Sequence, residues 1–160
     1  MPVYEGNLDG SDLRIAIVAA RFNGVITSKL VEGAIETLAR CGLVGERVDL
    51  VWVPGSFEIP STAQRLATTA RYAAVLCLGC VVRGDTDHYK FVAGEAARGV
   101  AEVSRASGVP VIFGILTTDT VEQAMERATP PHNAGSEAAE TAIKMANLWR
   151  QLPTAAQSVQ

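Results

Sequence analysis

Short apolar runs alternate along this chain with stretches whose apolar residues recur at helical spacing, a pattern that predicts an α/β fold with a parallel sheet. The first run, Leu13 to Ala19, is dense in Ile and Val, as expected of a strand buried on both faces. Leu30, Val31, Ala34, Ile35 and Leu38 then fall on one face of a helix, with Thr27 or Ser28 suited to cap its start and Gly42 its end. A second run, Val48 to Val53, breaks at Pro54-Gly55, and Pro60 opens a helix where its missing N–H costs nothing. A third strand spans about Ala73 to Val81. After a polar loop, a long helix carries Val92, Ala96, Val100 and Val103 on one side. Gly108-Val109-Pro110 ends that helix, and Val111 to Leu116 reads as the fourth strand. Thr120 and Gln123 have the spacing of a capping box for a short helix to about Ala128. Thr129-Pro130-Pro131-His132 interrupts. A last helix, from near Ser136, aligns Ala138, Ala142, Met145, Ala146 and Trp149.

In a sheet of this kind, ligands gather beyond the carboxyl ends of the strands. Residues 20–26, 54–58, 82–88 and 117–120 therefore matter most. Val3 to Gly6 reads as one further strand, detached from the core and available to a neighbouring subunit. The 160 residues fit a single domain, 1–160, with a core over about 12–152 and a flexible tail over 153–160. At 48% hydrophobic and 19% charged the chain can bury a core. A net charge of −3 gives no basic footprint for nucleic acid, and no run reaches the roughly 20 apolar residues of a membrane span. Met1 to Gly6 has neither the basic start nor the apolar core of a secretion signal. Three cysteines in apolar surroundings point to a reducing cytoplasm rather than a disulfide framework.

Three loops hold candidate chemistry. In Ala20-Arg21-Phe22-Asn23, the Phe22 ring can stack on a flat ligand or simply plug the rim of the core. In Pro54-Gly55-Ser56-Phe57-Glu58-Ile59-Pro60, strand, turn and helix start fall within seven residues, which exposes backbone N–H groups. Glu58 can accept hydrogen bonds from ring N–H groups there, or only complement the helix dipole. The third loop, Gly79 to His88, carries the strongest signal. Gly84 allows close backbone approach, Thr86 offers a hydroxyl, and the helix that follows can hold a phosphate. His88 adds a group that exchanges protons near neutral pH.

Other signals lead nowhere. Cys77-Leu78-Gly79-Cys80 spells a C-x-x-C, but inside a strand and without further zinc ligands nearby. Neither a Walker loop nor a G-x-G-x-x-G follows the first strand. The lysines, Lys29, Lys90 and Lys144, fall in helices or at a helix start, which gives little support to a protein-bound Schiff base.

Taken in order, these segments resemble lumazine synthases. The resemblance rests on Arg21-Phe22-Asn23, Pro54 to Pro60, the Arg83-Gly84-x-Thr86-x-His88 core, and Leu116 to Thr120 leading into Glu122-Gln123-Ala124 and Glu126-Arg127-Ala128. It covers the chain from about Tyr4 to Leu152. It implies a three-layer α/β/α sandwich of flavodoxin-like type with a four-stranded parallel sheet. The implied reaction joins 5-amino-6-ribitylaminouracil to 3,4-dihydroxy-2-butanone 4-phosphate, the penultimate step of riboflavin biosynthesis. It yields 6,7-dimethyl-8-ribityllumazine, phosphate and water, with no metal or organic cofactor. By the same resemblance Phe22 stacks on the pyrimidine with Asn23 beside it. Ser56, Phe57 and Glu58 bind the ring edge and ribityl chain, and Cys80, Val81 and Val82 offer backbone contacts. Gly84, Asp85 and Thr86 hold the phosphate with Arg127, His88 relays protons, and Phe113 lines the pocket from an adjacent subunit.

The resemblance also implies a homopentamer, alone or in a sixty-subunit capsid, with riboflavin synthase as a further partner. One stretch departs from the family: Thr129 to Gly135 lacks both lysines expected there and is about one residue shorter. Less positive charge near the phosphate implies lower activity. A non-catalytic lumazine or flavin binder, or a shell-forming relative, would tolerate that loss. A flavodoxin-type electron carrier would need a Ser/Thr-rich loop where Ala20-Arg21-Phe22-Asn23-Gly24 stands.

Overall fold

The computed structural model describes residues 1–154, and its central strand β1 (Ile15–Ala20) is buried along its full length. A strand with no solvent face needs a paired neighbour on each edge and a cover on each side. β1 pairs in parallel with β2 (Val48–Val53) and with β3 (Ala74–Val82). Beyond β3 lies β4 (Val111–Thr118), giving the order β2-β1-β3-β4. Ile17 stands level with Leu50 on one side and Leu76 on the other, so the strands end at nearly the same height.

Alternate residues face opposite layers. Ile15, Ile17, Leu76 and Leu78 pack against α1 (Gly24–Arg40) and α5 (Ala134–Gln151) through Leu30, Leu38, Ala139 and Ile143. Ala16, Val18, Val75 and Cys77 face α2 (Ile59–Ala67) and α3 (His88–Ser107) through Ala63, Ala96 and Val100. The short α4 (Val121–Arg127) adds Ala124 to the first of these layers. The result is the expected α/β/α sandwich around an all-parallel sheet. No helix among the described residues is long and apolar enough to cross a membrane.

Two caps differ from the sequence reading. α1 starts a turn earlier than Thr27, because Asn23 adopts the left-handed conformation (φ 57°, ψ 39°) and turns the chain straight from strand to helix. Thr27 is buried within that helix. α5 starts at Ala134, where Asn133 Oδ1 accepts from the N–H groups of Gly135 (2.8 Å) and Ser136 (3.1 Å). Asn133 Nδ2 donates to the carbonyls of Lys29 (2.9 Å) and Ala128 (2.8 Å), so one side chain joins α1, the end of α4 and the start of α5. The Thr120–Gln123 capping box is present at α4. Residues 3–6 form no strand within their own chain, and Val3 and Tyr4 are exposed. Their neighbour Asn7 is tied to α5 through Asn147 Nδ2. Of the expected tail, residues 155–160 lie outside the described residues.

At the amino end of the sheet, Tyr72 Oη (2.6 Å) and Arg14 Nη2 (2.8 Å) both donate to Asp49 Oδ2. The Tyr72 bond, then the Arg14 bond, hold the Asp49 carboxyl below the usual carboxylate range. At the other end, α1 and α5 cross without room for a side chain at Gly135, where a Cβ would overlap the Leu30 carbonyl. Gly135→Ala is expected to lower stability by about 1–3 kcal/mol, the range for overpacking. Denaturant titration checks this, and an unchanged midpoint would mean that the two helices separate freely.

Candidate functional site

Level strand ends bring the loops after β1, β2 and β3 around one cleft of about 480 Å³. One wall is aromatic. Phe22 is 71% exposed and Phe57 57% exposed, unusual for rings so close to a core that could have buried them. The Phe22 position therefore comes from its backbone. Arg21 N donates to Val53 O (2.8 Å) and Phe22 N to Pro54 O (3.0 Å), both extending the β1–β2 pairing. Asn23 Nδ2 donates to the Cys80 carbonyl, 2.8 Å away at the end of β3. The plug reading for Phe22 does not fit this exposure.

The second wall is the turn from β2 into α2. Pro54 and Gly55 lead into a single 3-10 turn, Ser56–Glu58, and Pro60 sits in the first turn of α2. Ser56 is buried against β3, where a Cβ on Gly79 would lie only 2.6 Å from Ser56 Oγ. Gly79 is thus the residue that lets this turn rest on the sheet. Glu58 is among the residues lining the cleft, and its backbone carbonyl accepts from Ser61 Oγ (3.2 Å) and Thr62 Oγ1 (3.0 Å).

The floor is the carboxyl end of β3, Cys80 to Val82, and the far end is the start of α3. His88 is the first residue of that helix rather than one lying before it, and its N–H donates to Thr86 Oγ1 at 3.4 Å. A Cβ at Gly84 would meet no protein atom, so the space beside that backbone is open. The cleft thus joins a flat apolar slot to a polar end with a hydroxyl, an imidazole and a helix amino terminus, features that accept a ring and an anion together.

Eleven of the fourteen residues singled out from the sequence line this cleft: Phe22, Asn23, Ser56, Phe57, Glu58, Cys80, Val81, Val82, Gly84, Thr86 and His88. Asp85 is exposed beside it and does not line it. Arg127 opens into a separate basin with Thr117, Asp119 and Gln123, and its Nη1 donates to the Gln123 carbonyl at 3.0 Å. Phe113 lies on the outer strand β4, 44% exposed, in a shallow groove beside α5. The sequence reading missed Tyr89, which lines both the cleft and the Arg127 basin, with the Arg83 guanidinium 5.5 Å from its ring centroid. Its place next to His88 was the available signal. Val92, read as core, also reaches the cleft one turn further along α3.

The family model described as 6,7-dimethyl-8-ribityllumazine synthase matches residues 12–150 of the chain.

The C-x-x-C spacing has no redox geometry. Cys77 packs towards α2 and α3 and Cys80 towards α1 and α5, on opposite faces of β3. Three residues of strand separate their Cα atoms by roughly 10 Å, beyond disulfide reach. Burial pushes the Cys77 thiol up to about 12 and the Cys80 thiol to about 11. At pH 8 a thiol reagent is expected to label only the half-buried Cys41 quickly, with Cys77 and Cys80 reacting after denaturation. Rapid native labelling of Cys80 would show that the cleft floor opens.

Proposed function

Because the chain belongs to the 6,7-dimethyl-8-ribityllumazine synthase family, we propose that it condenses 5-amino-6-ribitylaminouracil with 3,4-dihydroxy-2-butanone 4-phosphate. The observation that carries this reading is a single cleft lined by Phe22, Glu58, Thr86 and His88. A pyrimidine stacked on Phe22 presents its ring N–H edge to Glu58 and leaves its ribityl chain along Ser56 and Phe57. Backbone groups of Cys80 to Val82 complete the ring contacts. The ketone phosphate then occupies the other end, its phosphate at Gly84, Asp85 and Thr86 and the start of α3, with Arg127 supplying charge-assisted hydrogen bonds. The substrate amine attacks the ketone carbonyl, so no protein nucleophile is needed. His88 moves protons as water leaves to form the imine and as phosphate departs. Much of the acceleration comes from holding two reactive small molecules in register.

Arg127 and Phe113 lie outside the chain's own cleft, which supports a site completed across a subunit boundary. A homopentamer meets that need, and pentamers can assemble further into a capsid, a setting in which riboflavin synthase is a natural partner. An additional strand from residues 3–6 of a neighbour fits the same picture. Three free thiols suit a cytoplasmic enzyme. The lysine-free stretch from Thr129 to Gly135 favours one competing reading, a binding or shell-forming relative without chemistry.

The test mixes the protein with both substrates and follows the fluorescent lumazine above the uncatalysed rate. Turnover is expected. Pyrimidine binding without turnover would favour the competing reading. His88→Ala is expected to lower kcat by roughly 10- to 100-fold without abolishing it, at or below the usual range for a lost acid–base group. Arg127→Ala is expected to raise KM for the ketone phosphate by at least about 10-fold, as loss of a charged hydrogen bond costs ~1.5–3 kcal/mol. An unchanged KM would remove Arg127 from phosphate binding.

A further inference from the structure

The position of Phe22 is set by a mooring that the neighbouring residue completes. Its ring is 71% exposed, so packing does not fix it. Two hydrogen bonds hold the turn on the β2 side, from Arg21 N and Phe22 N to the carbonyls of Val53 and Pro54. β1 lies between β2 and β3, and the bond on the β3 side is the 2.8 Å contact from Asn23 Nδ2 to the Cys80 carbonyl. Cys80 itself lines the cleft floor. Asn23 is also the residue whose left-handed backbone swings the chain into α1, and its own carbonyl accepts from Ile26 N (3.0 Å) and Thr27 N (3.1 Å). Asn combines two properties here, tolerance of positive φ and an amide long enough to bridge to β3.

We propose that Asn23 is a positioning residue, whose amide bridge to Cys80 fixes the Phe22 ring relative to the floor of the cleft. The width of the aromatic slot, and with it the affinity for a flat ring, depends on that bridge. The inference rests on the functional reading only in taking the pyrimidinedione as that ring.

Two variants separate bridge from backbone. Asn23→Gly keeps the left-handed turn and removes the bridge. Asn23→Asp keeps size and turn but sets a carboxylate oxygen against the Cys80 carbonyl. The chain has four phenylalanines, so 4-fluorophenylalanine labelling gives four fluorine signals, with that of Phe22 assigned by Phe22→Leu. In both variants the Phe22 signal is expected to shift or broaden in the ligand-free protein, while the Phe113 signal stays in place. Affinity for 5-amino-6-ribitylaminouracil is expected to fall about 10-fold in each, and the fall should vanish in the Phe22→Leu background. An unmoved Phe22 signal overturns the proposal. So do losses that multiply in the double variant, since Asn23 would then meet the ring itself. A wild-type protein that binds no pyrimidinedione sinks the functional reading, and the fluorine comparison alone then decides the role of Asn23. Should Asn23→Gly fail to fold, Asn23→Asp carries the same comparison.

Discussion

Everything in this molecule depends on burying β1 on all sides. Its backbone must be paired along both edges, because unpaired N–H and C=O groups in a dry core cost about 1–3 kcal/mol each. Parallel pairing supplies those bonds but forces each connection to return across a face of the sheet, where the returning helices become the two covers. The register of Ile15 to Ala19 with both neighbours then brings the strand ends level. The loops at the carboxyl end can meet around one space only because of this alignment. The cleft is thus a by-product of how the core is satisfied, with chemistry added on loops that the core holds still.

How far the sequence speaks depends on how local the cause is. Val48 to Val53, with no helical alternative, marks its strand to the residue. The Thr120 capping box is likewise a contact within one turn. Thr27 misled because capping preference says nothing of a residue that can take positive φ four places earlier. Asn133 was passed over for a related reason: two of its partners, Lys29 and Ala128, lie outside its own helix. At the site, strand-end position marked the loops that hold Phe22, Glu58, Gly84, Thr86 and His88, whereas the parts of Ser56, Phe57 and Cys80 to Val82 came from the family resemblance. Tyr89 went unread because a helix-start aromatic looks like core until its neighbours are known. Where Arg127 and Phe113 open could not be read from their own segments, since that depends on how α4 and β4 sit against the rest.

The cleft keeps two rings exposed that a structure selected for stability alone would bury. Gly79 shows the other half of this arrangement, since it gives up a side chain in the middle of a strand to seat Ser56. Both features weaken the free protein locally and both shape the same slot. This is the pattern expected where binding, not folding, sets the residue choice.

The two ends of the sheet are secured by different chemistry, which separates their response to acid. The Asn133 junction near the cleft end is built from neutral amides and carbonyls, and no proton equilibrium acts on it. The Tyr72–Asp49–Arg14 cluster at the opposite end needs an ionised carboxylate. The Asp49 pKa lies below its unfolded value of about 3.9, so the stability it gives is present above that pH and fades as pH falls through the lower folded value. Acidification should therefore fray the pole remote from the cleft first. Amide exchange would quicken around Leu50 and Tyr72 while the Arg21 and Phe22 amides stay protected. Equal protection loss at both ends would show that the sheet opens as one unit.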